Sequence, residues 1–157
     1  NRTIARPAIA QQRAALVSCV RINRRKPPMN PLYPAAVTLL ALLFYMVVTM
    51  NSGRNRTKHN IAPPSVTGHE DYERAYRVQM NTLEHMVFFL PSMWLFAWSV
   101  SANWAAGIGL LWIAGRIIYA SAYYRDPAKR PPGMLITFAA QVILFIGALI
   151  GVGGMFI

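Results

Sequence analysis

Long stretches with almost no charge constrain the fold of this chain more than any other feature. Residues 32–50, LYPAAVTLLALLFYMVVTM, carry no charged side chain, and a helix of this length is about long enough to cross a hydrocarbon core of ~30 Å. Apolar stretches of similar length recur at 104–124 and 134–157. A chain in lipid must satisfy its backbone polar groups internally, as a helix does. The sequence therefore predicts an all-α integral membrane protein.

Four helices are predicted, at 32–51, 70–100, 104–124 and 134–157, forming a four-transmembrane-helix bundle. The segment Asn51-Ser52-Gly53 is a helix-stop signal, and Pro63-Pro64 excludes helix from the loop that follows. The first four turns of the second helix are polar, and its apolar part is short for a span. These polar turns must therefore enter the membrane inside the bundle.

Three residues within the predicted helices should affect helix shape or packing. Pro91 should kink the second helix. Gly147 and Gly151 are four residues apart in the last helix, a small-xxx-small pair suited to close packing against a neighbouring helix.

The charge is unevenly distributed along the chain. The formal net charge is +11, but seven of the sixteen basic residues precede Met29, and the remainder has nine basic against five acidic residues. Only 13% of residues are charged, against roughly 25% in a soluble domain, so we predict no nucleic-acid partner. The only cysteine is Cys19. From Met29 onward, any thiol chemistry must therefore use the thiol of a ligand.

We divide the chain into a basic leader, residues 1–28, and a membrane domain, residues 29–157. The leader is rich in arginine and free of acidic residues. We interpret it as a disordered extension or as translated upstream sequence, with Met29 as the natural start. A transit peptide is the alternative, since such peptides are also Arg-rich and poor in acids.

The basic loops predict a topology. The first loop carries Arg54, Arg56 and Lys58, and the third carries Arg125, Lys129 and Arg130, whereas the second loop and the C-terminus carry no basic residue. Cytoplasmic loops carry the excess of Lys and Arg. Both basic loops should therefore lie in the cytoplasm and both ends of the four-helix domain outside.

Polar side chains collect on one face of the second helix. Arg77, Asn81, Glu84 and His85 follow each other at helical spacing, while Gln79 lies on the opposite face. Such residues inside a membrane helix are functional candidates, although structural pairing of Glu84 with an arginine is the alternative.

The third helix and the loops add further candidates. Arg116, Tyr119 and Tyr123 share a face of the third helix, and Arg56 and Arg130 lie in the flanking basic segments. Four arginines against one deep carboxylate favour an anionic ligand. Glu84 could receive an ammonium group, and Asn81 and Gln79 could hold peptide amides. A small peptide with two carboxylates and one amine satisfies this set.

Two segments carry a family resemblance. ERAYRVQMNTLEH (73–85) and GRIIYASAYYRDPAKR (115–130) resemble the motifs of the membrane-associated proteins in eicosanoid and glutathione metabolism, the MAPEG family. Pro63-Pro64 also stands at the family's spacing before the first motif. The resemblance covers 32–157 and is nearest to the microsomal glutathione transferase and leukotriene C4 synthase branch.

The resemblance implies a homotrimer of four-helix bundles, with glutathione as co-substrate between neighbouring subunits. It implies that Arg130 lies beside the sulfur and favours the thiolate, with Arg56 as a second catalytic candidate. Gln79 would contribute from the neighbouring subunit. The remaining implied glutathione-binding residues are Arg77, Asn81, Glu84, His85, Arg116, Tyr119 and Tyr123. His85 replaces a tyrosine of the leukotriene synthase and Thr57 an arginine, which weakens transfer of that enzyme's specific substrate.

The implied function is a membrane-bound glutathione S-transferase and peroxidase. Its second substrate would be a hydrophobic electrophile or a lipid hydroperoxide taken from the membrane lipid. Trp112, Phe88 or residues of the last helix could line the groove for that substrate, although ordinary packing is the alternative. Three other functions stay open: a non-catalytic lipid-binding scaffold, a glutathione-dependent isomerase and a small transporter.

Overall fold

The computed structural model describes residues 30–156, and all regular structure in this range is helical. The four long helices are α1 (Leu32–Lys58), α2 (Glu70–Ser99), α3 (Ala102–Arg125) and α4 (Pro131–Gly153), with a short 3-10 helix, Pro127–Lys129, before α4. The predicted all-α class and the four long helices are confirmed within these residues. The predicted leader and Cys19 lie outside them.

The first helix is longer than predicted. It continues through Asn51-Ser52-Gly53 to Lys58, so this stop signal was a wrong prediction. Side chains brace the added turns, since Asn55 Nδ2 donates to the carbonyl of Asn51 at 2.9 Å and Thr57 Oγ1 to that of Gly53 at 3.2 Å. A Cβ at Gly53 would meet nothing within 4 Å, and a tertiary contact holds Arg56, as described below.

Caps and prolines set the other helix ends. His69 Nδ1 accepts a hydrogen bond from Asp71 N–H at 3.2 Å at the start of α2, and Ser101 caps α3. Pro131 opens α4, three residues before the predicted start, in a position where a missing N–H costs nothing. The helix ends at Gly153, before the predicted end of the chain's last helix.

The core lies between α2 and α3, which both contact α1 and α4. Phe89 and Trp112 stack at its centre, with ring centroids 4.1 Å apart and planes 2° from parallel. Both are fully buried, so Trp112 is a packing residue and the idea that it lines a substrate groove is wrong. Phe88, in contrast, is exposed.

Glycines allow the helices to approach closely, as predicted for α4. A Cβ at Gly147 would overlap the ring of Phe96, and one at Gly151 would lie 2.5 Å from Ser99 Oγ. Gly133, at the other end of α4, is pressed against the backbone of Tyr119 on α3. The packing of α4 therefore depends on glycine at both ends.

Three helical segments are long and apolar enough to cross a membrane, Leu32–Lys58, Ala102–Arg125 and Pro127–Gly153. Their large apolar side chains are exposed along α1 and α4, for example Leu39, Leu149 and Ile150. The helix α2 is not among these segments, because its first turns are polar. The apolar surface and the three spans identify an integral membrane protein.

Candidate ligand-binding site

Arg116 is the centre of the polar residues inside the bundle. Its side chain is fully buried on α3. Nη1 donates to Asn81 Oδ1 at 3.0 Å and Nη2 to Thr82 Oγ1 at 2.7 Å, both on α2. Its guanidinium carbon lies 4.3 Å from the ring centroid of Tyr119. Nε is buried and has no hydrogen-bond partner among the described residues.

Among residues 30–156, no carboxylate forms an ion pair with this buried cation. The ion pairs within residues 30–156 join Glu70 with Arg74, Asp126 with Lys129, and Asp71 with His59 and His69. The structural pairing of Glu84 with Arg77 or Arg116 is therefore not formed. A buried charge without a counter-ion is costly, so this part of the molecule favours an anion.

A line of contacts connects Arg116 with the loop before α4. The ring of Tyr119 lies 5.5 Å from that of Tyr123, centroid to centroid, and the guanidinium carbon of Arg130 lies 5.8 Å from the Tyr123 ring. Tyr119 is buried, Tyr123 is half-buried and Arg130 is exposed. The predicted residues of α3 and the loop thus lead from the core to the surface.

Arg77 and Glu84 open to the surface on either side of Asn81. Arg77 and Tyr123 line a groove of about 400 Å³ at the start of α2. Glu84 lines a second groove of about 440 Å³ between α2 and α4, with Phe88, Phe138 and apolar residues of α4. Neither Arg77 nor Glu84 has a side-chain hydrogen bond or ion pair in the described part of the chain, and both are exposed. Their charges are free to meet a ligand.

His85 is held by a reciprocal pair of hydrogen bonds with Gln141 of α4. Gln141 Nε2 donates to the carbonyl of His85 at 3.0 Å, so its Oε1 faces His85 Nδ1. An oxygen acceptor there requires that Nδ1 carry the proton, which leaves Nε2 as the acceptor of the neutral ring. His85 lines both the Glu84 groove and one of about 680 Å³ with Pro131 and Pro132.

Arg56 and Gln79 do not join these residues. The Arg56 side chain donates through Nη2 to the hydroxyl of Tyr72 and stacks on its ring, 4.9 Å from the centroid. Tyr72 and Gln79 are seven residues apart on α2 and share a face, opposite Arg77. Within residues 30–156, Arg56 and Gln79 thus make no hydrogen bond, ion pair or ring contact with the residues around Arg116.

Three partners were missed from the sequence. Gln141 gave a signal, because it is a lone amide in the most apolar helix. Thr82 was overlooked beside Asn81, and it accepts from Arg116 while donating to the carbonyl of Val78 at 2.6 Å. Tyr72 gave no signal, since its role depends on the unpredicted extension of α1.

A further groove lies apart from all of the predicted residues. It measures about 600 Å³ and runs between α1 and α3, with Arg54, Asp71 and Arg74 at its polar end. None of the ten candidate residues lines it. This groove is therefore separate from the Arg116 cluster.

Comparisons with known proteins agree with this arrangement. The model of the MAPEG family matches residues 34–150. An uncharacterized protein of Synechocystis sp. is 46% identical over 121 residues, 77% of this chain and 88% of that protein. Microsomal glutathione S-transferase 2 of Mus musculus is 36% identical over 123 residues, 78% of this chain and 84% of its own length. Leukotriene C4 synthase of Cavia porcellus is 31% identical over 117 residues, 74% and 78% of the two chains.

The family match spans all four helices and both polar motifs. It includes each residue of the Arg116 cluster, as well as Arg56 and Gln79. The all-helical fold, the three apolar spans and the similarity to these relatives agree. The chain belongs to the MAPEG family, the membrane-associated proteins in eicosanoid and glutathione metabolism.

Proposed function

We propose that this protein is a membrane-bound glutathione S-transferase that also reduces lipid hydroperoxides. One observation carries the proposal: among residues 30–156, the fully buried Arg116 donates hydrogen bonds to neutral side chains only, and its Nε makes none. A cation of this kind has a high cost unless an anion binds nearby. The name of one relative, microsomal glutathione S-transferase 2, supports glutathione as the co-substrate.

The residues fit glutathione, which has two carboxylates, one amine, two peptide amides and a thiol. Arg77 suits one carboxylate, because a guanidinium forms paired hydrogen bonds with a carboxylate, and the buried Arg116 would attract the other over a longer distance. Glu84 is exposed and unpaired in the described structure, so it can receive the amine. Asn81 retains its side-chain NH₂ for a peptide carbonyl, since Arg116 uses only Oδ1.

We propose that the site is completed in a homotrimer. Arg56 and Gln79 make no hydrogen bond, ion pair or ring contact with the Arg116 cluster among the described residues, so a neighbouring copy could use them. Large apolar side chains are also exposed on α1 and α2, the helices that carry Arg56 and Gln79. In this arrangement all four helices cross the bilayer, with α2 shielded by its neighbours, and both basic loops face the cytoplasm by the positive-inside rule.

Glutathione supplies a thiol that, once ionised, attacks an electrophilic carbon. The carbon–sulfur bond forms as a leaving group departs or, at an epoxide, as the ring opens to an alkoxide that takes a proton. Two glutathione molecules instead reduce a hydroperoxide to alcohol and water and form the disulfide. A free thiol has a pKa of about 8.5 and is only a few per cent ionised at neutral pH. Arg130 would stabilise the thiolate, and a pKa lower by about two units requires about 2.7 kcal/mol.

His85 would accept the proton that leaves the thiol. Its tautomer, fixed by Gln141, leaves the Nε2 lone pair free. It shares a groove with Pro131 and Pro132, the two residues that follow Arg130. A base in this groove and a cation adjacent to it in the chain would supply the two groups that thiol ionisation requires.

The apolar part of the groove between α2 and α4 would receive the second substrate. Phe88, Phe138 and Phe145 line it beside Glu84 and His85. Phe88 and Phe145 are in contact, with centroids 5.1 Å apart. A hydrophobic electrophile or a lipid hydroperoxide could enter this groove directly from the membrane lipid.

The experiment is a titration of the detergent-purified protein with glutathione, followed by ultraviolet difference absorbance of the thiolate and by proton release. We expect a saturable thiolate band at neutral pH. Binding without a band would contradict the transferase and favour an isomerase or an inactive relative. No binding at all would favour the lipid-binding scaffold or the transporter.

The variant Arg130→Ala should bind glutathione with similar affinity and lose most of the thiolate band. Lys129→Ala is the matched control, because Lys129 is an exposed cation one residue away whose carboxylate partner is Asp126, at 3.8 Å. An equal loss of the band in both variants would mean that general positive charge, rather than Arg130, favours the thiolate.

A further inference from the structure

Two histidines and an aspartate meet where α1 ends and α2 begins, away from the Arg116 cluster. His59 caps the C-terminus of α1, and His69 and Asp71 form the first turn of α2. His59 Nε2 lies 3.6 Å from Asp71 Oδ2, and His69 Nδ1 lies 3.9 Å from the same oxygen. One ligand atom from each residue lies within 4.8 Å of the other two.

We propose that His59, His69 and Asp71 form a binding site for Zn²⁺. Two imidazoles and a carboxylate are typical zinc ligands, with a fourth position left for water. Ligands at about 2.0–2.1 Å from a tetrahedral ion lie about 3.3–3.4 Å apart. The two separations from Asp71 Oδ2, 3.6 and 3.9 Å, are close to this spacing. For both imidazoles to reach one ion, the exposed ring of His69 would turn out of its stack with His59 and release the Asp71 N–H.

Helix capping accounts for the side chains of His69 and Asp71 but not for that of His59. His69 and Asp71 form the helix cap, through the hydrogen bond from Asp71 N–H to His69 Nδ1. His59 caps α1 through its backbone N–H only, and its side-chain Nε2 is buried and makes no hydrogen bond in the described structure. The two imidazole rings stack with centroids 3.5 Å apart and planes 16° from parallel. Nε2 of His59 faces the Asp71 carboxylate, so the two groups could bind one ion.

The surroundings predict a site that exchanges its ion. His69 and Asp71 are exposed, so the ion could enter from solvent. Arg54 and Arg74 line the same groove as Asp71, and these cations would reduce the affinity for a divalent ion. When occupied, the site would link the end of α1 to the start of α2, which the loop 60–69 otherwise connects.

The test uses the full chain, purified in detergent without a histidine tag and freed of metal. Zn²⁺ is titrated by calorimetry, and Co²⁺ is added as a spectroscopic probe whose visible bands report a tetrahedral site. We expect one ion per chain. The variants His59→Ala and Asp71→Asn should each weaken binding at least about 10-fold. His85→Gln, which changes the chain's only other histidine, should leave the metal affinity unchanged.

A fourth variant separates loss of a ligand from loss of the helix cap. His69→Ser removes the imidazole but keeps a good N-cap acceptor, so the thermal midpoint without metal should stay the same while zinc affinity falls. Absence of saturable binding would overturn the proposal. So would equal affinity in the wild type and the His59 and Asp71 variants, or an equal loss in His85→Gln.

Discussion

Replacing Arg116 by methionine tests whether this buried cation binds the ligand or stabilises the fold. The wild-type guanidinium makes two charge-assisted hydrogen bonds, at 3.0 and 2.7 Å, each contributing about 1.5–3 kcal/mol, and a contact with the Tyr119 ring that contributes about 2 kcal/mol when desolvated. Against this stands the cost of burying an ion without a counter-ion, which is several kcal/mol. The opposing contributions nearly cancel.

We therefore expect Arg116→Met to change the free energy of unfolding by no more than about 1 kcal/mol, or about 2–4 °C in the thermal midpoint for a chain of this size. Methionine is unbranched and fills irregular space. Thr82 keeps its hydrogen bond to Val78, and Asn81 is only partly buried. The groups left behind therefore retain partners or reach water.

Glutathione affinity should respond much more strongly. A carboxylate about 6 Å from a guanidinium interacts by about 3 kcal/mol at an effective dielectric constant of 20, so its loss weakens binding about 100-fold. Calorimetry with glutathione and thermal unfolding, both in detergent, measure the two effects on the same sample. Arg125→Met, an exposed arginine on the same helix, is the control and should change neither quantity appreciably.

The opposite result would refute the reasoning. If Arg116→Met lowered the unfolding free energy by more than about 3 kcal/mol and left glutathione affinity unchanged, Arg116 would be a structural residue. The main support for the proposed anion site would then be lost.

Four further substitutions test the packing and the site. Gly133→Ala would press a methyl group against the α3 backbone and should lower stability by about 1–3 kcal/mol. In the control Gly107→Ala, the added methyl group meets nothing within 4 Å among the described residues, and stability should rise by about 0.5–1 kcal/mol. Thermal midpoints measure both changes, and equal shifts would contradict the packing. Glu84→Gln should weaken glutathione binding in calorimetry, because the ligand amine loses its counter-charge, and an unchanged affinity would mean that Glu84 does not contact it. Gln141→Leu releases the ring of His85 and should lower kcat with little change in KM for glutathione, which steady-state kinetics would show; an unchanged kcat would mean that the ring needs no such support.

The helices and their polar face were predictable because both depend on local spacing. Arg77, Asn81 and Glu84 recur at helical intervals, and Asn81 indeed meets Arg116 across α2 and α3. The charge-free run at 32–50 similarly required a helix, because only an internally hydrogen-bonded segment is stable in lipid.

The errors arose where tertiary contacts override local signals. Asn51-Ser52-Gly53 resembles a helix end, but the contact between Arg56 and Tyr72 supports two further turns. Nothing in either local segment indicates this pair, because the two residues come together only when α1 packs on α2. The link between His85 and Gln141 was hidden for the same reason, since it joins positions 56 residues apart.

The polarity of α2 also has a consequence for how the chain is made. Insertion of a nascent helix into the bilayer depends on its own apolarity, and α2 is the one long helix among residues 30–156 that lacks enough of it. A short turn at Val100 and Ser101 joins it directly to the apolar α3. If α2 crosses the bilayer as proposed, the translocon would release α2 and α3 together as a helical hairpin, so that synthesis would pass Arg125 before α2 enters the bilayer. The residues proposed to bind the ligand would thus also delay membrane insertion.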